Sequence, residues 1–185
     1  ITDGSVKCWG SNGAGQLGRT GSSAGGLPGT MGGHLDPVEL GAGNKAVQIV
    51  SSFADQWGHS CALLDNGEVR CWGENTFGQL GDNTTTNRTI PVVVDLGDNV
   101  SVSKIVAGTR HTCALINDGD IKCWGAGYEG QLGLTYGNGA IGGYGGNLVS
   151  DGQNVDLGTG LRAVDVVAGS FHTCAIFTDG SVKCW

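Results

Sequence analysis

Cys61 to Cys71 reads C-A-L-L-D-N-G-E-V-R-C, and this stretch decides the fold. Two short apolar runs flank Asp65-Asn66-Gly67. That triplet suits a three-residue hairpin loop with glycine in the left-handed position of a bulge. Pairing outward from it opposes Leu64 to Glu68, Leu63 to Val69, Ala62 to Arg70 and Cys61 to Cys71. The last pair falls at a non-hydrogen-bonded position, where Cα atoms lie about 4.5 Å apart. A disulfide needs about 4.4–6.8 Å, so the two sulfurs are placed to bond. The same count opposes Cys113 to Cys123 across Asn117-Asp118-Gly119, and Cys174 to Cys184 across Thr178-Asp179-Gly180.

The hairpin is one part of a longer period. D-G-S-V-K-C-W stands at 3–9 and again at 179–185, with N-G-E-V-R-C-W-G at 66–73 and D-G-D-I-K-C-W-G at 118–125 between them. H-S-C-A-L (59–63), H-T-C-A-L (111–115) and H-T-C-A-I (172–176) precede the turns, and G-Q-L-G recurs at 15–18, 78–81 and 130–133. A β-branched run comes before each histidine: Val47, Ile49 and Val50; Val102, Ile105 and Val106; Val164, Val166 and Val167. Repeat periods of 9–71, 72–123 and 124–184 follow. Units of this length, rich in strands and without helical periodicity, suit propeller blades better than helical solenoids. The expectation is an all-β partial propeller of about three four-stranded antiparallel blades, with 1–185 forming a fragment of one propeller domain. Cys8 then lacks its partner through truncation, which accounts for the odd total of 7 cysteines.

Composition agrees. Of 185 residues 36 are glycine and only 3 proline, so the glycine serves turns and not a collagen or Pro-rich linker. Charged residues are 15%, too few for a coiled coil or a charged tail. The net charge of -7 and scattered Lys and Arg speak against nucleic acid as partner. No apolar run is long enough to span a membrane. The start, I-T-D-G-S-V-K, reads as the middle of a repeat and not as a leader.

G-x-x-H-[ST]-x-A-L, a D-G turn, V-x-x-W-G and G-Q-L-G together resemble the regulator of chromosome condensation repeat. Gly108, His111, Ala114, Leu115, Gly119, Trp124, Gly125, Gln131, Leu132 and Gly133 carry the resemblance in one repeat, and G-D-N-T-T-T-N-R-T-I-P-V (81–92) resembles the family's inter-blade linker. The resemblance implies a seven-bladed propeller in which neighbouring segments complete blades. The paired cysteines resemble those of bacterial exported and surface members. The entry to the first histidine carries four extra residues relative to the second, a bulged loop. The glycine-rich stretches 19–37 and 134–156 read as loops on one rim.

Each candidate residue has a structural reading. Cys61, Cys71, Cys113, Cys123, Cys174 and Cys184 read as hairpin disulfides, worth roughly 2–3 kcal/mol each on the chain-entropy model, and they imply an oxidising compartment. A zinc reading fails for want of a recurring fourth ligand and of C-x₂₋₄-C spacing. His59, His111 and His172 recur once per unit, as a packing residue does and a catalytic base does not. Trp9, Trp72, Trp124 and Trp185 follow each second cysteine and read as packing between blades. Light-sensing family members use G-W-R-H-T strings; G-T-R-H-T (108–112) and G-S-F-H-T (169–173) lack that tryptophan. G-x-G-x-x-G at 125–130 opens no helix, so it binds no dinucleotide. Sequons at Asn83, Asn87 and Asn99 matter only in a eukaryotic secretory route.

No catalytic constellation, cofactor site or metal site is legible. The expected role is a non-enzymatic binding scaffold, extracellular, cell-surface or periplasmic, that presents loops 19–37, 51–58 and 134–156 to a protein or glycan. Its other partner is the remaining blades of its own chain. The alternatives are a guanine-nucleotide exchange factor, the founding activity of the family, and a secreted enzyme inhibitor.

Overall fold

A computed structural model describes residues 3–53, 58–134, 139, 141, 149–150 and 154–185. Ten strands form three antiparallel sheets. The first has the order β1 (Ala46–Ser51), β2 (His59–Leu64), β3 (Val69–Gly73) and β4 (Arg88–Val93). The second holds β5 (Val102–Ala107), β6 (His111–Ile116) and β7 (Ile121–Gly125). The third holds β8 (Ala163–Ala168), β9 (Thr173–Phe177) and β10 (Val182–Cys184). The helical element among the described residues is a single 3-10 turn, Gly32–His34. The chain is all-β, and its sheets follow one another as the blades of a partial propeller.

The hairpin register is the one read from the turn. Cys61 faces Cys71, Ala62 faces Arg70 and Leu63 faces Val69, and the second and third hairpins repeat this. The Leu64 N–H donates to the Glu68 carbonyl at 2.9 Å, and Gly67 closes the loop with φ of 83°. The bridges Cys61–Cys71, Cys113–Cys123 and Cys174–Cys184 are formed, with Cα separations of 4.1, 4.1 and 4.0 Å, slightly tighter than the ideal pair. Cys8 is free and half-buried.

The first sheet takes β1 and β2 from the period 9–71 and β4 from the period 72–123, so neighbouring segments complete it. Two features differ from the expectation. The first strand of every sheet carries a register shift at the same place, between Ala46 and Gln48, Val102 and Lys104, and Ala163 and Asp165. The shift bends each edge as one sheet turns toward the next. Segment 134–156 does not sit on one rim. Ile141 pairs with Gly125 at the end where β6 begins, whereas the Val155 N–H reaches the Ile121 carbonyl at the opposite end. Residues 135–138, 140, 142–148 and 151–153 of that segment, and residues 54–57 of the expected 51–58 loop, lie outside the described residues.

The core lies in the seams between sheets. Leu63, Val69 and the Cys61–Cys71 bridge pack on Ile105, Ala114 and Trp124 of the second sheet. Leu115, Ile121 and the Cys113–Cys123 bridge pack on Val166, Ala175 and Phe177 of the third. On the other side Val6, Val38 and Leu40 pack on Ala62, Leu64 and Trp72. The third sheet has no sheet stacked on its far face among the described residues. Ile176 and Val182 are therefore 44% and 61% exposed, where their counterparts Leu115 and Ile121 are 5% and 0%.

Candidate functional site

Each seam is fastened by the same polar relay. The His59 ring reaches across to the Thr112 hydroxyl, Nε2 to Oγ1 at 2.8 Å. Thr112 in turn donates to the Gln79 carbonyl at 2.9 Å, and the Trp124 indole N–H reaches that carbonyl at 3.0 Å. At the next seam His111 meets Thr173 at 3.0 Å, and Thr173 donates to the Gln131 carbonyl at 2.9 Å. At the preceding one Ser60 and Trp72 both donate to the Gln16 carbonyl, at 3.1 and 2.9 Å. At Gln16 and Gln79 one backbone carbonyl thus gathers a hydroxyl and an indole from the following sheet, whereas Gln131 takes the hydroxyl alone.

The relay sets the histidine tautomer. The threonine proton is committed to the glutamine carbonyl, so the threonine oxygen must accept. His59 and His111 therefore carry their proton on Nε2, and their buried Nδ1 atoms have no partner. A second ring proton would find no acceptor there. Burial, and secondarily the neighbouring histidine, hold His59 at about 3 and His111 at about 4. The unfolded histidines titrate near 6.5. Protons bind the unfolded chain first as pH falls, so the stabilisation is complete above pH 6.5 and is lost progressively toward pH 4. Urea melts from pH 7.5 to 4 should show stability falling by several kcal/mol. His111→Gln should shrink that slope even if it lowers stability at pH 7.5. An unchanged slope in this variant would place the pH dependence elsewhere.

Two glycines have steric reasons. A Cβ on Gly108 would stand 2.1 Å from Cε1 of His111, so the ring lies directly over the glycine. Gly81, which closes G-Q-L-G, has φ of 67°, and its Cβ would stand 2.9 Å from Nε1 of Trp124. The spacing G-x-x-H at His111 and His172 and the final glycine of G-Q-L-G are space requirements of the seam.

The sequence-predicted residues divide by position in the arc. His59, His111, Trp72 and Trp124 are buried at 1% exposure or less. His172 is exposed, because no further sheet covers it among the described residues. Trp9 is 61% exposed, with no glutamine carbonyl against its indole among the described residues. Trp185 stands over Gly133 as Trp124 stands over Gly81, but its indole N–H has no partner.

Sequence reasoning missed Asn12 and Asn75. Asn75 accepts from the Leu80 N–H at 2.9 Å and donates to the Asp82 carboxylate and to the Thr84 and Thr86 carbonyls. Asn12 accepts from Leu17 and donates to the Arg19 and Gly21 carbonyls. Both organise the loop that holds G-Q-L-G. Their shared spacing of four before the glutamine was the available signal.

The two ends of the sheets differ. At the hairpin-turn end Asp65, Asp95, Asp98, Asp118, Asp156 and Asp179 are exposed. At the opposite end, where β2, β6 and β9 begin, Phe53 is 89% exposed, Tyr128 58% and Phe171 49%. Arg110 lies over the Phe77 ring at 4.8 Å, and Phe77 meets Tyr128 edge-on with centroids 6.1 Å apart. Among the described residues no three of His, Cys, Asp or Glu converge as metal ligands, and no helix is long and apolar enough to cross a membrane.

The family described as Regulator of chromosome condensation (RCC1) repeat matches residues 66–115, and a second description of the same repeat matches 102–131 and 163–185. The Ultraviolet-B receptor UVR8 of Arabidopsis thaliana is 35% identical over 101 residues, 55% of this chain and 22% of that protein. Protein pim1 of Schizosaccharomyces pombe is 32% identical over 197 residues, covering 100% of this chain and 34% of that protein. A chain of the crystal structure of Kap60 bound to yeast RCC1 (Prp20) superposes with a TM-score of 0.67 at 26% identity, over 98% of this chain and 39% of that one. The chain thus spans about a third or less of the length of these curated relatives.

Proposed function

This chain belongs to the RCC1-repeat family, and from that premise we propose that it is a non-enzymatic protein-binding scaffold of an extracellular, cell-surface or periplasmic propeller. The observation that carries the compartment is the disulfide at the same register in all three hairpins. Bridges of this kind persist in oxidising surroundings and are rare in the cytosol. What supports binding is the division of labour in the fold. Polar relays and apolar seams use the strand residues, while the end at which β2, β6 and β9 begin leaves aromatic side chains in water. Exposed aromatics on rigid supports are the usual anchors of protein interfaces. Yeast RCC1 is a precedent for the fold as a binding partner, since it is bound by Kap60.

Two measurements test this reading. Labelling intact source cells with a membrane-impermeant amine reagent should tag the parent protein at its exposed Lys45 and Lys183. Labelling only after lysis contradicts the compartment. Robust, saturable nucleotide release from a small GTPase by the parent protein would favour the exchange-factor alternative over a scaffold.

A further inference from the structure

We propose that Phe77, Arg110 and Tyr128 form the anchor of the binding end, and that it takes a protein segment carrying a carboxylate beside an apolar side chain. The inference rests on the scaffold reading and names the partner chemistry of its exposed end.

The three residues come from different parts of the arc. Phe77 lies in the loop after β3, Arg110 in the turn between β5 and β6, and Tyr128 in the loop after β7. Their backbones are fixed. The Phe77 N–H donates to the Gln79 side chain at 2.9 Å, the Arg110 carbonyl accepts from the Ala126 N–H at 2.8 Å, and Gly130 closes the Tyr128 loop onto Gly127. The side chains then meet in sequence: guanidinium over the Phe77 ring at 4.8 Å, and Phe77 edge-to-face with Tyr128 at 80°. Stacking on a ring restricts the guanidinium before any partner arrives and leaves its N–H edge free to grip a carboxylate. Arg110 makes no ion pair within 4 Å among the described residues. Glu74 is its acidic neighbour, and is itself partly buried.

Charge supplies the partner's sign and orientation. The far end of the sheets displays a row of exposed aspartates, so an acidic partner is repelled there and admitted at Arg110. Exposed Tyr128, packed on the Phe77 ring that carries the cation, adds apolar surface beside it. An aromatic and arginine cluster on a rigid frame is the composition of an interface anchor. Two carboxylates oppose an acidic segment here: Glu129, exposed beside Tyr128, and the half-buried Glu74 beside Arg110.

The test is selection of random dodecapeptides displayed on phage against the whole chain, followed by binding of a synthetic selected peptide. Selected peptides should be enriched in Asp or Glu next to Leu, Phe or Trp. Arg110→Ala and Tyr128→Ala should each weaken binding roughly tenfold or more. Arg110→Lys should recover only part of the loss, because an ammonium has no planar face to stack. Glu129→Gln should tighten binding, and added salt should weaken it. All three positions are at the surface, and near-UV circular dichroism of the buried tryptophans checks that each variant is folded. Basic peptides, an empty selection, or binding indifferent to both alanine variants would overturn the proposal. Retention of a glycan instead of peptides would overturn the partner class. If binding survives those variants but is lost in Leu27→Ser, an exposed residue of the 19–37 stretch, the scaffold reading stands while this anchor falls; if no ligand is held by either surface, both fall.

Discussion

Trp124→Ala should lower the free energy of unfolding by about 3–5 kcal/mol, the range for truncating a buried aromatic. Trp124 is fully buried in the seam between the first two sheets, against the Gly81 turn, with its N–H on the Gln79 carbonyl. Removing it leaves a cavity between sheets and takes one of two donors from that carbonyl. A domain of ordinary stability has only about 5–15 kcal/mol in total, so the variant should be close to unfolding at 37 °C. Trp9→Ala, at the same repeat position but exposed, should change stability by less than about 0.5 kcal/mol. The pair is a control on the relay itself. Thr112→Val should be non-additive with Trp124→Ala, because both side chains share one acceptor. Urea melts of the parent chain, the three single variants and the Thr112→Val/Trp124→Ala double variant decide the matter, and equal costs at Trp9 and Trp124 would contradict the seam.

Reduction should be the second large effect. Each bridge closes a short loop, with a separation of 10 residues, and contributes roughly 2–3 kcal/mol. Loss of all three removes a sum comparable to the whole stability of a small domain. Full reduction should therefore unfold the chain, whereas Cys113→Ser with Cys123→Ser should leave a folded protein with a lower midpoint. The order of reduction is also set by the arc. Cys113 and Cys123 are 0% and 4% exposed, while Cys184 is exposed and Cys174 half-buried. Limited dithiothreitol should open Cys174–Cys184 first, as read by alkylation and mass spectrometry. Simultaneous opening of all three would mean that global unfolding precedes reduction.

What the sequence reveals follows from the range of each interaction. Cys61 and Cys71 are opposed by a turn within their own hairpin, so counting from Gly67 places every pair correctly. The His-to-Thr bonds join residues 53 and 62 positions apart, and their final acceptor is a backbone carbonyl. Any residue type supplies a carbonyl, so Gln79 gives no sign of that role in its letter. The recurrence of Thr112, Thr173 and Ser60 after each histidine was visible, but its meaning depended on the neighbouring sheet. The aromatic anchor was the least legible part. Phe77, Arg110 and Tyr128 do not recur in register, and only the curvature of the arc brings them into contact. Exposure of His172 and Trp9 likewise depends on what stacks on the outer sheets, which a repeat count cannot supply.

The central claim is that each repeat is locked by opposed sulfurs within one hairpin and that the protein works where such bonds survive. Its direct test is thiol mapping of the parent protein from its source cells, with free thiols alkylated at the moment of lysis and peptides separated without reduction. The account predicts linked peptides joining Cys61 to Cys71, Cys113 to Cys123 and Cys174 to Cys184. Alkylated thiols at these six positions, or bridges joining different hairpins, would contradict it.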